Sequence, residues 1–196
     1  MAFATAGMLA TRLQRTFTDD QVDQANRVLE DATAAIIAYC RQTIYFVEDD
    51  SVTLRGTWGY RLELPQQPVV EVASVTVDGV LLDDTEWTLV GNEIRRGTSD
   101  DWPSTRLHWG GPDTEVAVVY SHGHTDDPPI ATSICLAMAA RCVANPIGAQ
   151  AETLGAYSVT YGAFFTGSPT LLAEEKRQLR DAGLARRPGG MAGTTP

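Results

Sequence analysis

Three histidines and a scatter of carboxylates are the groups in this chain best suited to chemistry. His122-Gly123-His124 is followed at once by Asp126 and Asp127, and His108 lies upstream. Neutral imidazoles together with a carboxylate can hold zinc or iron. His122, His124 and Asp126 are therefore the candidate metal set, and a metal-dependent hydrolase is the enzyme reading that they allow. The competing reading is a solvated loop between a strand and a helix, with Asp127 capping the helix. Pairs of aspartates recur at 19–20, 49–50, 83–84, 100–101 and 126–127. Neighbouring side chains point apart on a strand and diverge on a helix, so such pairs read as turns rather than as catalytic dyads. No serine sits in a G-x-S-x-G elbow, and no D-x-D-x-D-G calcium loop, G-x-G-x-x-G or P-loop occurs. The residues give no support to nucleophilic catalysis and imply no cofactor.

Three further groups stand out by type. Cys40, Cys135 and Cys142 are odd in number and form no CxxC pair. They read as buried thiols of a reducing compartment. Trp58, Trp87, Trp102 and Trp109 all fall in the middle of the chain. Strand alternation explains at least two of them as core, whereas Trp102, between Asp101 and Pro103, is a candidate exposed anchor for a partner. Arg141 is the one charged residue of an otherwise apolar helix. Burying it unpaired would be very costly, so it needs a carboxylate or a subunit boundary.

The elements that must position these groups follow from periodicity. Thr5–Arg15 reads as a short helix. Thr18 and Gln21 have the spacing of a capping box, Phe17 and Val22 that of a hydrophobic staple, and Asp19 and Asp20 suit the positive end of the helix dipole. Val22, Ala25, Leu29, Ala32, Ile36 and Tyr39 then recur by threes and fours, which predicts an amphipathic helix of about twenty residues. From Thr43 to Tyr120 the period becomes two. Strands are expected at 51–54, 60–64, 69–77, 80–82, 87–90, 93–95, 106–109 and 115–120. Asp78-Gly79 and Gly91-Asn92 suit two-residue hairpin turns. A helix opens at Pro129 and is apolar on nearly every side, so its cover is expected to come largely from other copies and other proteins. Asn145-Pro146 ends it. The run Tyr157–Tyr161 is strand-like, and Ser168-Pro169-Thr170 is expected to restart a helix that Gly183 stops.

The fold class predicted is α+β: a small helical bundle, two long helices plus short N- and C-terminal ones, with a large antiparallel β-rich insertion between the long helices. Residues 1–182 form a single domain, with helical parts at 5–42 and 128–182 and the insertion at 43–121. Residues 183–196 are read as a flexible tail.

Charge narrows the function classes. The 196 residues carry a formal net charge of −10, which argues against a surface that grips nucleic acid by its phosphates. Residues 42–127 hold sixteen Asp and Glu against five Arg, while 174–196 hold three against five Lys and Arg. Such asymmetry fits a partner-facing surface. No apolar run reaches about eighteen residues and the N-terminus lacks a signal layout, so a soluble protein made in the cytoplasm is expected, with no membrane partner.

In this order the elements resemble the head-to-tail adaptor, or head-completion connector, proteins of long-tailed bacteriophages. The stretches that carry the resemblance are Asp31–Tyr39, Val118–Gly123, Ala140–Gly148 and Glu152–Tyr161. They span residues 5–182, and the chain departs from the pattern in its large β-rich middle and its proline- and glycine-containing tail. The resemblance implies a structural protein without enzymatic activity. It would form a homo-oligomeric ring, usually of about twelve subunits, docked under the portal at the virion's head–tail junction after assembly in the host cytoplasm. Such a ring seats the head-closure stopper protein, and double-stranded DNA passes its lumen without being read. Acidic walls would let that DNA slide. Interface candidates are Arg141, Glu152, Tyr157, Tyr161, Trp102, Arg186 and Arg187. A stopper or another neck protein is the neighbouring alternative, though those tend to be smaller and all-β.

Overall fold

The computed structural model describes residues 2–97, 107–144, 151–154, 157–160 and 168–186, with 151–154 and 157–160 described as backbone only. These residues fold as α+β, four helices together with antiparallel sheets. They divide into a helical unit, Met1–Arg41 with Asp127–Arg186, and a β-rich unit beginning at Gln42 and running to Asp126.

In the helical unit α1 spans Ala6–Leu13, α2 Asp19–Cys40, α3 Pro129–Ala144 and α4 Ala173–Asp181. Thr5 accepts the Met8 amide and caps α1, which Gln14 ends in the left-handed region. At the start of α2 the Gln21 side chain reaches back to the Thr18 amide at 3.0 Å, as its spacing predicts. The apolar stripe of α2, with Ala25, Leu29, Ala32 and Ile36, is buried, as are seven of the sixteen residues of α3. Helices α1, α2 and α4 all lie against α3. Its own chain thus supplies cover for this apolar helix, because three amphipathic helices turn their apolar stripes toward it. Thr33 is the one hydroxyl in this core. It accepts the Phe3 amide at 3.1 Å and lies 3.5 Å from the Cys135 sulfur, so its polarity is satisfied.

The cap of α3 and the start of α4 differ from expectation. α3 begins at Pro129, and the Pro128 carbonyl accepts the Thr132 amide, so Asp127 lies one residue outside the cap position. α4 begins at Ala173 rather than near Ser168. The Leu172 amide donates to Glu175, and the Thr170 carbonyl is taken by Arg141, which keeps 168–172 out of the helix.

The β-rich unit contains β1 (Val47–Arg55), β2 (Arg61–Glu63), β3 (Val69–Val77), β4 (Val80–Leu81), β5 (Trp87–Val90), β6 (Glu93–Arg96) and β7 (Glu115–His122). One sheet has the order β1-β7-β3-β4, the other β2-β6-β5, and every strand pairing in them is antiparallel. Side chains of both sheets share one core, in which Leu54, Val75, Val116 and Tyr120 meet Leu62, Ile94 and the fully buried Trp109. Asp78 and Gly79 both take positive φ in the β3–β4 turn, and Gly91 does so between β5 and β6, as the turn chemistry requires. The expected strand at 106–109 is not a strand over its described part. Leu107–Trp109 joins no ladder. The Trp109 amide donates to Gly59 and its indole N–H to the Tyr60 carbonyl at 2.9 Å, so the ring is anchored by a loop contact. In the remaining stretch β8 (Ala151–Leu154) pairs with β9 (Tyr157–Thr160).

Candidate functional site

In the histidine cluster, His122 is buried and pairs with a part-exposed carboxylate, and two residues stand apart from that pair. His122 closes β7 between Val47 of β1 and Val69 of β3, in the middle of the larger sheet. That placement buries its ring to 1% exposure and sets Nε2 3.1 Å from Asp50 Oδ2. Tyr120, two residues earlier on the same face, tilts its ring against the imidazole with centroids 5.1 Å apart. Nδ1 is buried and has no hydrogen-bond partner. His124 lies past the turn at Gly123. Its amide donates to the Ile44 carbonyl, and Asp126 is exposed beyond it. Gly123 has φ +90, and a Cβ there would fall 2.2 Å from the Tyr45 carbonyl oxygen. Only glycine turns the chain so close to another backbone. His108 is exposed in the loop before Trp109.

The structure therefore gives His122 a carboxylate from a strand 72 residues away rather than His124 and Asp126. Among the described residues no group of three His, Cys, Asp or Glu is arranged to hold a metal ion. Beyond β7 the chain turns at Gly123, and His124 lies past the turn from His122. Asp50 is the residue that reading by proximity in sequence misses. A signal did exist, since strand alternation carries Asp50 to the same face as Val52 and Leu54. A shift in register between Val47 and Asp50, with Asp49 at φ +49, accommodates it.

Arg141 is held by a second polar centre. Nη1 donates to Glu175 Oε1 at 2.7 Å and Nη2 to Oε2 at 3.0 Å, and Nη2 also reaches the Thr170 carbonyl at 3.1 Å. The two side chains are 17% and 10% exposed. A planar guanidinium matched to both carboxylate oxygens is the strongest form of ion pair, and Glu175 uses Oε2 again to cap the Leu172 amide. Of the two solutions open to Arg141, the carboxylate is the one the fold supplies. Glu175 was not singled out from sequence, although a lone arginine in an apolar helix demands such a partner.

The remaining predicted residues are dispersed. Glu152 stands on β8 opposite Val159, and Tyr157 on β9 opposite Leu154. Arg186 is half-buried, its amide bonded to the Cys40 carbonyl. Trp102, Tyr161 and Arg187 lie outside the described residues. Of the other tryptophans, Trp109 is core and Trp87 packs at its margin, while Trp58 is 74% exposed. The three cysteines are free and buried. Burial pushes the Cys40 thiol up to about 11 and raises Cys135 and Cys142 as well, which keeps all three in the unreactive thiol form. No described helix is long and apolar enough to cross a membrane.

Comparison with known proteins adds one relationship. No protein-family model matches the sequence, and no curated protein matches it. Among solved structures, a chain from the neck of an empty gene transfer agent particle, computed with C6 symmetry, superposes with a TM-score of 0.51. The two are 17% identical over 85% of this chain and 90% of that one. What they share is a fold. A chain of the native gene transfer agent virion scores 0.49 at 16% identity, covering 88% of this chain and 96% of that one. A chain of the native neck computed with C12 symmetry scores 0.45 at 16% identity, with 87% and 94% covered.

Proposed function

We propose that this chain is a structural subunit of a virion neck, acting without catalysing a reaction. In this reading it is an adaptor: about twelve copies close a ring under the portal, seat the head-closure stopper or tail, and leave a lumen for double-stranded DNA. The observation that carries the proposal is the likeness in fold to a gene transfer agent neck chain across most of both chains. The charge is in keeping with it, because a net charge of −10 repels phosphates and suits a wall past which DNA must slide. The Arg141–Glu175 pair fits a structural role, since it satisfies charge inside the protein.

Residues 1–182 serve as one subunit in this reading, with both units contributing to the neck. The segment from Gly148 to Tyr161, which includes Glu152 and Tyr157, contributes to ring contacts or to the lumen. The tail 183–196, through Arg186 and Arg187, docks against the portal, and Trp102 is a partner anchor. Electron microscopy of particles that contain this chain tests all of these at once. The expected map has the chain as a ring between portal and tail, with those segments at its contacts. Purified particles that lack the chain, or carry it away from the neck, would sink the proposal.

A further inference from the structure

The β3–β4 hairpin places apolar side chains where a solitary protein would not. Val80 and Leu81, immediately after the Asp78-Gly79 turn, are 66% and 67% exposed, while the next residue, Leu82, is buried in the core. Among the described residues β4 is the edge of its sheet, and no further strand pairs with its outer backbone groups. The tip is also acidic. Asp78, Asp83, Asp84 and Glu86 surround it, and no Lys or Arg occurs between residues 62 and 94. Asp78 and Asp83 are held rigidly, Asp78 by the Glu115 amide and Asp83 by Thr85, whose hydrogen bonds lower the Asp83 carboxyl below its ordinary range. The tip is thus a fixed aliphatic knob with a negative rim.

The helical unit contains a recess of opposite character. Beside α1 lies a groove of about 390 Å³ lined by Ala6, Gly7, Ala10, Gln14, Arg15 and Phe17, among others. A second of similar volume opens on the far side of Phe17 and shares Arg15. Residues 2–18 contain Arg12 and Arg15 and no acid. No carboxylate lines either groove; Asp19 and Asp20, the nearest in sequence, belong to the first turn of α2. Met8, 43% exposed, adds apolar surface on α1.

Knob and groove match in polarity and in charge, and every copy of the chain carries both. We infer that the Val80–Leu81 tip of one copy seats in the α1 groove of a second copy, with Arg15, which lines the groove, facing the acidic rim. A contact between two different patches is heterologous, and such a contact closes into a ring when its rotation allows. The inference rests on the ring reading above and names the surfaces that would make the ring.

The test uses the full chain, free in solution at high concentration and in assembled particles. Val80→Cys and Ala10→Cys are made separately, mixed, and treated with a short bismaleimide. Because the native cysteines are buried, the wild-type chain is the control for background. The expected result is a covalent dimer that forms only in the mixture and falls at least tenfold when Arg15→Glu is added to the Ala10→Cys chain. If the wild type forms rings and the mixture gives no dimer, the inference is overturned and the ring reading stands. If a chain carrying both Val80→Cys and Ala10→Cys links only within itself at every dilution, the contact is not between copies and the inference again fails. A wild-type chain that forms no ring in solution or in particles removes the ring reading, and this inference with it.

Discussion

The helical unit and the β-rich unit are held together by different kinds of contact. In the former, each helix carries its own apolar stripe, set by residues three and four apart, and the one charge inside is neutralised by a bidentate pair between α3 and α4. In the latter, almost nothing is local. The core joins residues as distant in sequence as Leu54 and Val116, and its largest side chain, Trp109, comes from a loop. In the β-rich unit the buried His122 ring has one hydrogen bond, to the part-exposed Asp50, and its other nitrogen goes without. A helix can be stabilised residue by residue along its own length. A sheet needs partners that only the finished fold brings together.

This contrast can be broken or sharpened by experiment. The largest effect is expected at Trp109. Trp109→Ala removes a fully buried ring and leaves the Tyr60 carbonyl without its indole donor, which should cost about 3–5 kcal/mol by chemical denaturation. A loss below about 1 kcal/mol would show that the core is not organised around this residue. Next comes Arg141→Met. It strands Glu175 in a mostly buried site, and about 3 kcal/mol should be lost. Adding Glu175→Leu should recover most of that loss, because the carboxylate that needed a partner is gone. If the double variant is as unstable as the single, the pair does more than neutralise charge.

Alkaline pH gives a smaller and graded effect. The Cys40 thiol ionises near 11 in the folded protein against an ordinary value of 9.0. The unfolded chain therefore loses this proton first, and the folded state binds more protons between those pH values. Stability should fall as pH rises from about 9 toward 11, by about 1.4 kcal/mol per pH unit, and Cys40 should make no difference below that window. Comparing the wild type with Cys40→Ala over this range checks the sign: the slope should flatten in the variant. The smallest effect is expected at Glu174 and Arg177, a pair on the exposed face of α4. Solvent screens such pairs, so Glu174→Gln should leave the unfolding midpoint where it was. A clear shift there would mean that the surface of α4 is stabilised differently from other exposed helices.

The helices were legible because their signals are local. Thr18, Gln21 and the Val22–Tyr39 stripe place α2 without reference to anything else in the chain, and Asp78-Gly79 dictates its own turn. Where a start depended on distant groups, the reading slipped. α4 begins late because Arg141, 29 residues away, takes the Thr170 carbonyl, while Glu175 caps the Leu172 amide locally. The partner of His122 likewise depends on the fold. His122, His124 and Asp126 are close in sequence, but the turn at Gly123 separates them, and the partner of His122 arrives from β1.

The amino-acid order alone thus determined the α+β class, the helix stripes, the hairpin turns and the acid-rich middle of the chain. Each of these follows from spacing within a few residues or from composition. Only the tertiary structure decided that Asp50 meets His122, that Glu175 meets Arg141, and that Trp109 is a core residue held from a loop. It also decided that Val80 and Leu81 remain uncovered at a sheet edge. Those outcomes depend on which strands and helices become neighbours, and chain entropy leaves that choice to the whole fold rather than to any single segment.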